Sequence, residues 1–186
     1  MRVVIAVVFI SITVSMLILM TSNWRPDVLG QPIEEWNIYL NPEFRFTIQY
    51  PEAIFGKGYE TQGSPGGYAS SNSTEFSLTS SDADLYLSII PLNSTTSKTD
   101  SALSMIRDQY NEMTQYDTIS SIQNITEVKY GGQQAYKTIL DAGGGSIYIY
   151  ASLQHDNVTL FFYMYNDRTN FKGALFDQIV NSTKFF

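Results

Sequence analysis

The residues able to do acid–base or metal chemistry are few and scattered. The chain has one histidine, His155, and no cysteine. A thiol nucleophile, a disulfide and a thiolate zinc site are therefore excluded. His155 sits in the turn sequence "HDN" between two apolar runs. As a general base it needs a nucleophile and an orienting group, and the sequence nominates neither. A metal site without a second histidine or cysteine must rest on carboxylates. Asp82 and Asp84, in "SSDADLY", are the weak candidates, as two oxygen ligands for calcium. They lack the spacing and the glycine of a calcium loop, and the competing reading is solvation of a strand entry. The stretches "GSPGG" and "AGGGS" have no Walker lysine and do not join a strand to a helix. They read as turns rather than phosphate loops. No catalytic residue and no cofactor is expected, and the chain does not read as an enzyme.

Four tyrosines are more suggestive. The runs "SIYIYASLQ" and "VTLFFYMYN" flank the "HDN" turn as the arms of a hairpin. One face carries Ile147, Ile149, Ala151 and Leu153 against Val158, Leu160, Phe162 and Met164. The other carries Tyr148 and Tyr150 with Phe161, Tyr163 and Tyr165. An aromatic sheet face can stack on a sugar or hold an apolar ligand, with hydroxyl tips adding specificity. On that reading Tyr148, Tyr150, Tyr163 and Tyr165 take a lipid, a glycan or a quinone-like molecule. The competing reading is a second core face beneath a helix.

A third chemistry is modification. Sequons of the N-x-S/T type occur at Asn72, Asn93, Asn124, Asn157 and Asn181. With eleven Asn and 36 Ser plus Thr in 186 residues, chance supplies about two. Each falls in a loop or at the end of an expected element, where a glycan fits.

The elements that position these residues begin with an apolar run. Val3 to Met20 is uncharged and mostly apolar, and as a helix it spans roughly 27 Å, close to a hydrocarbon core of about 30 Å. Residues 1–21 are expected to be a signal-anchor helix that enters the bilayer through residues 3–20. The rival is a cleaved signal peptide, but "LILMTSN" lacks a small-x-small cleavage site. Arg2 favours a cytoplasmic N-terminus and Arg25 pulls the other way. The sequons tip the balance toward a single-pass protein with its domain on the extracytoplasmic side.

Arg2 is the sole charged side chain before Arg25, so taking it from the eleven basic residues leaves ten against eighteen acidic ones, a balance of −8. Such a domain is a poor binder of nucleic acid, whose affinity comes from cations on phosphates. Residues 22–35, with two prolines and a glycine, read as a tether. Residues 36–186 read as one domain, large enough to bury a core without staples.

Within it, "WNIYL" and "FRFTIQY" form a hairpin whose second arm stops at Pro51, which cannot donate to a ladder. Gly56 to Ser73 is expected to be mostly loop. "TEFSLTS" and "DLYLSIIPL" are strands. Thr99 or Asp100 is expected to cap a helix reaching about Tyr116, with Leu103, Ile106, Tyr110 and Met113 inward. Strands are expected at about Gln123–Tyr130 and Gln133–Asp141, then the tyrosine hairpin. A last helix, capped by Thr169 or Asp167, turns Phe171, Leu175 and Ile179 inward. Neither face of the hairpin looks wet, and two amphipathic helices are available to cover them. The expected fold is α+β: a three-layer α/β/α sandwich around a largely antiparallel sheet.

In this order the chain resembles the PsbP/Mog1 superfamily. The resemblance rests on the aromatic strand ending in Tyr-Pro, "FRFTIQYP", and on the Y-G-G-x-x-A-Y turn from Tyr130 to Tyr136. It runs from Trp36 to Phe186. One departure is Ile54, where the family often has tryptophan three residues after the proline. The resemblance implies a non-catalytic accessory or binding protein. Photosynthetic members help retain calcium and chloride at the oxygen-evolving complex, and nuclear ones bind a Ran-type GTPase. Neither binding motif carries over onto positions here. An apolar N-terminal run is closer to the anchored PsbP-like proteins of prokaryotes, including archaea. The expectation is an extracytoplasmic accessory domain that binds or stabilises a protein partner, with the tyrosine-face ligand binder as the alternative.

Overall fold

The computed structural model describes residues 36–62, 73–92, 98–115, 119–142 and 144–186. Among the described residues no helix is long and apolar enough to cross a membrane. The apolar run at 3–20 and the tether at 22–35 lie outside them.

Among the described residues eleven strands run in chain order: β1 (Asn37–Asn41), β2 (Phe46–Tyr50), β3 (Tyr59–Gln62), β4 (Thr74–Thr79), β5 (Ala83–Pro91), β6 (Ile119–Ile122), β7 (Thr126–Tyr130), β8 (Gln133–Ala142), β9 (Ser146–His155), β10 (Val158–Asp167) and β11 (Lys184–Phe185). A one-turn helix, Glu52–Phe55, follows Pro51. A long helix, Lys98–Met113, separates β5 from β6, and a C-terminal helix, Gly173–Asn181, precedes β11. Eight strands form one sheet in the order β3-β4-β5-β10-β9-β8-β6, with β7 beside β6 on the outer edge of β8. The remaining three form a small sheet, β1-β2-β11. Every pairing is antiparallel.

Strand β10 lies in the middle because the chain returns to β5 only after β6 to β9 have been laid down. It is buried along its first seven residues, as a strand covered on both faces must be. Its Leu160, Phe162 and Met164 meet Leu153, Ala151 and Ile149 of β9 and Ile89, Leu87 and Leu85 of β5. All of these are fully buried, and each such side chain the size of Leu or Phe contributes about 1.5–3 kcal/mol. The long helix packs on β8, β9 and β10 from the opposite side, with Ile106 against Tyr150, Phe161, Tyr163 and Leu140.

The layer over the Leu160 face is mixed rather than helical. The C-terminal helix occupies part of it through Leu175, Phe176, Ile179 and Val180. The small sheet occupies the rest, with Tyr39 stacked on Phe76 at 4.0 Å between ring centres and Tyr50 tilted against the same ring at 5.6 Å. Two helices alone cannot cover both faces of an eight-stranded sheet, and the N-terminal hairpin fills the gap.

Other expectations shift for local reasons. The stretch from Gly56 is not all loop, since β3 pairs with β4 from Tyr59 to Gln62; residues 63–72 lie outside the described part. At Gly58 a side chain would collide with the ring of Phe76, so only glycine admits β3 at this spacing. The expected strand from Gln123 begins at Thr126, because β6 and β7 share one edge of β8 and residues 123–125 carry the chain between them. The long helix starts at Lys98, inside which Thr99 and Asp100 cannot be caps, and its buried line is Ala102, Ile106 and Gln109. Asp167 does cap a helix, but a single turn of 3-10 helix at Arg168–Asn170, accepting from the Thr169 amide at 2.9 Å. The C-terminal helix therefore starts after Phe171, which falls out of the helical period and is 45% exposed.

Candidate functional site

Alternation along β9 and β10 sets the tyrosine face. Tyr150 pairs with Tyr163 and Tyr148 with Tyr165, while Tyr163 pairs on its other side with Tyr86 of β5. The rings make a continuous chain: Tyr86 to Tyr163 at 4.6 Å and 12° between planes, Tyr163 to Tyr150 at 6.2 Å, Tyr150 to Tyr148 at 6.3 Å, Tyr148 to Tyr165 at 5.4 Å. Burial divides it. Tyr150 is 1% and Tyr163 8% exposed beneath the long helix, whereas Tyr165 is 37% exposed. Tyr86 and Tyr148 lie between these extremes. Burial holds the hydroxyls of Tyr86 and Tyr148 above the ordinary phenol range, reinforced by Asp84 at the first and Tyr165 at the second. Both phenols keep their protons at neutral pH. The four tyrosines singled out by sequence thus split into a structural pair, Tyr150 and Tyr163, and a rim pair, Tyr148 and Tyr165.

A second site was not legible in the sequence. The turn Tyr130-Gly131-Gly132 joins β7 to β8 and seats the C-terminal helix. The Tyr130 hydroxyl donates to Asp177 Oδ1, and Lys137 Nζ reaches the same oxygen at 2.5 Å. Lys137 also lies 5.9 Å from the centre of the Phe176 ring. The Gly131 amide donates to Asn181 Oδ1 at 3.2 Å. Gly131 has φ +55°, and a Cβ there would strike the Thr183 carbonyl, so the close approach requires glycine. Burial, then the hydrogen bond and charge of Asp177, push the Tyr130 phenol up, so it stays a neutral donor.

Above this clamp lies an open groove of about 470 Å³, lined by Val128, Lys129, Tyr130 and Lys137 from the strands and by Asp177, Gln178 and Asn181 from the helix. Asp177 is held by two donors, and Lys129, exposed, makes no ion pair among the described residues. Gln178 Oε1 is buried without a hydrogen-bond partner. Tyr130 and Asp177 are 47 positions apart, and no local pattern links them. The only signal was the Tyr-Gly-Gly turn itself.

The other candidates stay apart. Asp82 is exposed, accepts from Ser81 Oγ at 2.9 Å and faces the Lys172 ammonium at 3.9 Å. That cation competes for the charge a calcium ion would use. Asp84 lies on β5, opposite Thr79 and Tyr165. No group of three or more acidic or histidine side chains comes together among the described residues. His155 stacks on Phe185 at 3.9 Å between ring centres, beside Asp156. Asn72 and Asn93 lie outside the described residues. Asn124 is exposed between β6 and β7 with Thr126 also exposed; Asn157 and Asn181 are exposed, but their partner threonines, Thr159 and Thr183, are fully buried.

No protein-family model matches the chain, and no curated protein matches it in sequence. The solved structures do. The solution structure of cyanobacterial PsbP (CyanoP) from Synechocystis sp. PCC 6803 superposes with a TM-score of 0.59 at 15% identity, covering 84% of this chain and 96% of that one. A crystal structure from Bacteroides thetaiotaomicron VPI-5482 is similar at a TM-score of 0.48 and 12% identity, and this chain spans only 48% of its length. The chain has a PsbP-like fold.

Proposed function

We propose that this chain is a membrane-tethered, non-enzymatic accessory domain on the extracytoplasmic side of its membrane, and that it binds and stabilises a partner protein. The observation that carries the reading is the groove over Tyr130 and Asp177. It is open and shallow, so it cannot enclose the 70–90% of surface that a small-molecule site usually buries. Its carboxylate takes Tyr130 and Lys137 on one oxygen, Oδ1, and the exposed Lys129, on the edge strand that borders the groove, is a cation with no ion pair among the described residues. A carboxylate on a partner's surface is its complement, in a polar rim of the kind protein interfaces have. Support for the tether comes from the apolar run at 3–20, and for the outward side from the five sequons. The fold shared with a cyanobacterial PsbP agrees with an accessory role.

The test is a photo-crosslinking residue placed at Lys129 of the full-length chain in its own membranes, with Glu60 on β3 as the control position. The expected result is a discrete adduct with a different polypeptide at 129 alone. Adducts at neither position, or the same diffuse products at both, contradict the reading.

A second reading keeps one observation: the Tyr148 and Tyr165 rings meet at 5.4 Å at the exposed end of the tyrosine face. Two tilted, half-exposed rings suit a lipid tail, a glycan or a quinone-like ring. Saturable binding of a soluble quinone, abolished by Tyr165→Ala and untouched by Lys129→Glu, would favour it over the protein partner.

A further inference from the structure

The edges of the two sheets are defended unequally. An open strand edge invites pairing with another chain, and natural proteins blunt it with charges, prolines, bulges or shortness. Strand β3 carries Glu60, and β7 carries Glu127 and Lys129. Strand β6 is broken by a register shift between Ile119 and Ser121. Strand β11 is two residues long and includes Lys184. Strand β1 has none of these devices. It ends the small sheet, pairs only with β2 among the described residues, and reads Asn-Ile-Tyr-Leu-Asn without a charge. Its outward side chains are Ile38, 62% exposed, and Leu40, 54% exposed. These are large apolar groups left in water on a strand whose outer edge is unpaired among the described residues.

The same five residues form a chemical palindrome about Tyr39: amide, aliphatic, tyrosine, aliphatic, amide. A two-fold axis between identical antiparallel strands sets residue i against j and j against i, and the palindrome makes each such pair like against like. Centred on Tyr39, the pairing sets Asn37 against Asn41 of the second copy, Ile38 against Leu40, and Tyr39 against itself. Ile38 and Leu40 of both copies then lie side by side on one face. The two small sheets become one of six strands, β11-β2-β1 continued by β1-β2-β11 of the partner copy. Charge favours the same occupant. The chain carries −7, so two copies repel over most of their surface, and an uncharged edge is where they can close to strand distance. We infer that β1 is a homodimerisation edge and that its occupant is β1 of a second copy of this chain. The contact adds about four to six backbone hydrogen bonds. It buries less than the roughly 1,200 Å² of a standard stable interface, so it is a weak association that a shared membrane would concentrate. The inference stands independently of the groove.

The chain has no cysteine, so introduced thiols are the only ones. Full-length Ile38→Cys and Leu40→Cys chains, carrying tags of different size, are mixed in membranes under mild oxidation. Directly opposed residues lie about 4.5–5.5 Å apart between Cα atoms, inside the disulfide range of about 4.4–6.8 Å. Two copies of residue 38 are displaced along the strands by two positions and fall outside it. The expected result is a mixed disulfide several-fold more abundant than either self-pair. In parallel, a chemical crosslinker applied to wild type in its membranes should trap a dimer that Leu40→Lys abolishes. Equal yields of all three disulfides, no disulfide at all, or a Leu40→Lys chain still dimeric would overturn the inference.

Discussion

Tyr163 and Tyr165 are two positions apart on one strand and point to the same side, yet the long helix covers one and leaves the other in water. The difference is measurable. Truncating a buried aromatic typically costs about 3–5 kcal/mol, since the cavity adds to the lost transfer energy. For a domain of this size each kcal/mol lowers the melting temperature by about 2–4 °C. Tyr163→Ala should therefore lose about 10 °C, and Tyr165→Ala should stay within about 2 °C, because exposed substitutions cost about 0.5 kcal/mol or less. Equal shifts for the two variants would contradict the division. Tyr130 gives a pH signature. Burial and Asp177 hold its folded-state pKa above the ordinary value of 10.0. Below that value folded and unfolded chains both keep the proton, and the contribution is fully present. Above it the unfolded chain releases its proton first, so stability falls as pH rises toward the folded-state pKa. Tyr130→Phe should lower stability at neutral pH by about 1.5–3 kcal/mol, the usual worth of a hydrogen bond to a charged group. It should also make the alkaline decline shallower in denaturant titrations at pH 9 to 11. A decline of unchanged steepness would show that Tyr39, Tyr86 and Tyr148, also raised by burial, carry the effect instead.

At the scale of elements, what could be read from the chain was whatever has a local period. The β9–β10 hairpin was legible because both its faces alternate cleanly around a turn. The long helix was legible from Ile106 and Met113, though Gln109 on its buried line is polar and was missed. The strands β3, β6 and β11 were not legible. Each is four residues or fewer, and each exists because a partner strand from elsewhere in the chain offers an edge, which no window of sequence contains. The groove failed for the same reason, since Tyr130 meets Asp177 only after β8, β9 and β10 have intervened. The Tyr-Gly-Gly signature was visible, but its physical meaning was not. Gly131 is there because Thr183 of the C-terminal segment packs on its Cα. Gly131→Ala should therefore free residues 181–186, seen as faster amide exchange there with little change in β9 and β10. Faster exchange spread evenly over the large sheet would mean that the turn supports the whole fold rather than this clamp.

The sequence combines an acidic domain with an apolar run at residues 3–20, and the two can be tested apart. If residues 3–20 anchor the chain, the full-length protein should remain with membranes after carbonate washing, and removing residues 1–22 should release it. Release of the full-length protein by carbonate would refute the anchor, and a mature N-terminus near Asn23 would indicate a cleaved signal. In a glycosylating host the sequon that best fits a glycan among the described residues is Asn124, where both Asn124 and Thr126 are exposed. The domain is proposed to be tethered and to hold another protein through the groove beside Lys129. The most direct measurement is native electrophoresis of gently solubilised membranes bearing wild type or Lys129→Glu, an exposed change expected to leave folding within about 0.5 kcal/mol. Wild type should migrate in a complex heavier than two copies of the chain, and Lys129→Glu should fall out of it. Wild type and variant migrating together, at the mass of one or two copies, would contradict it.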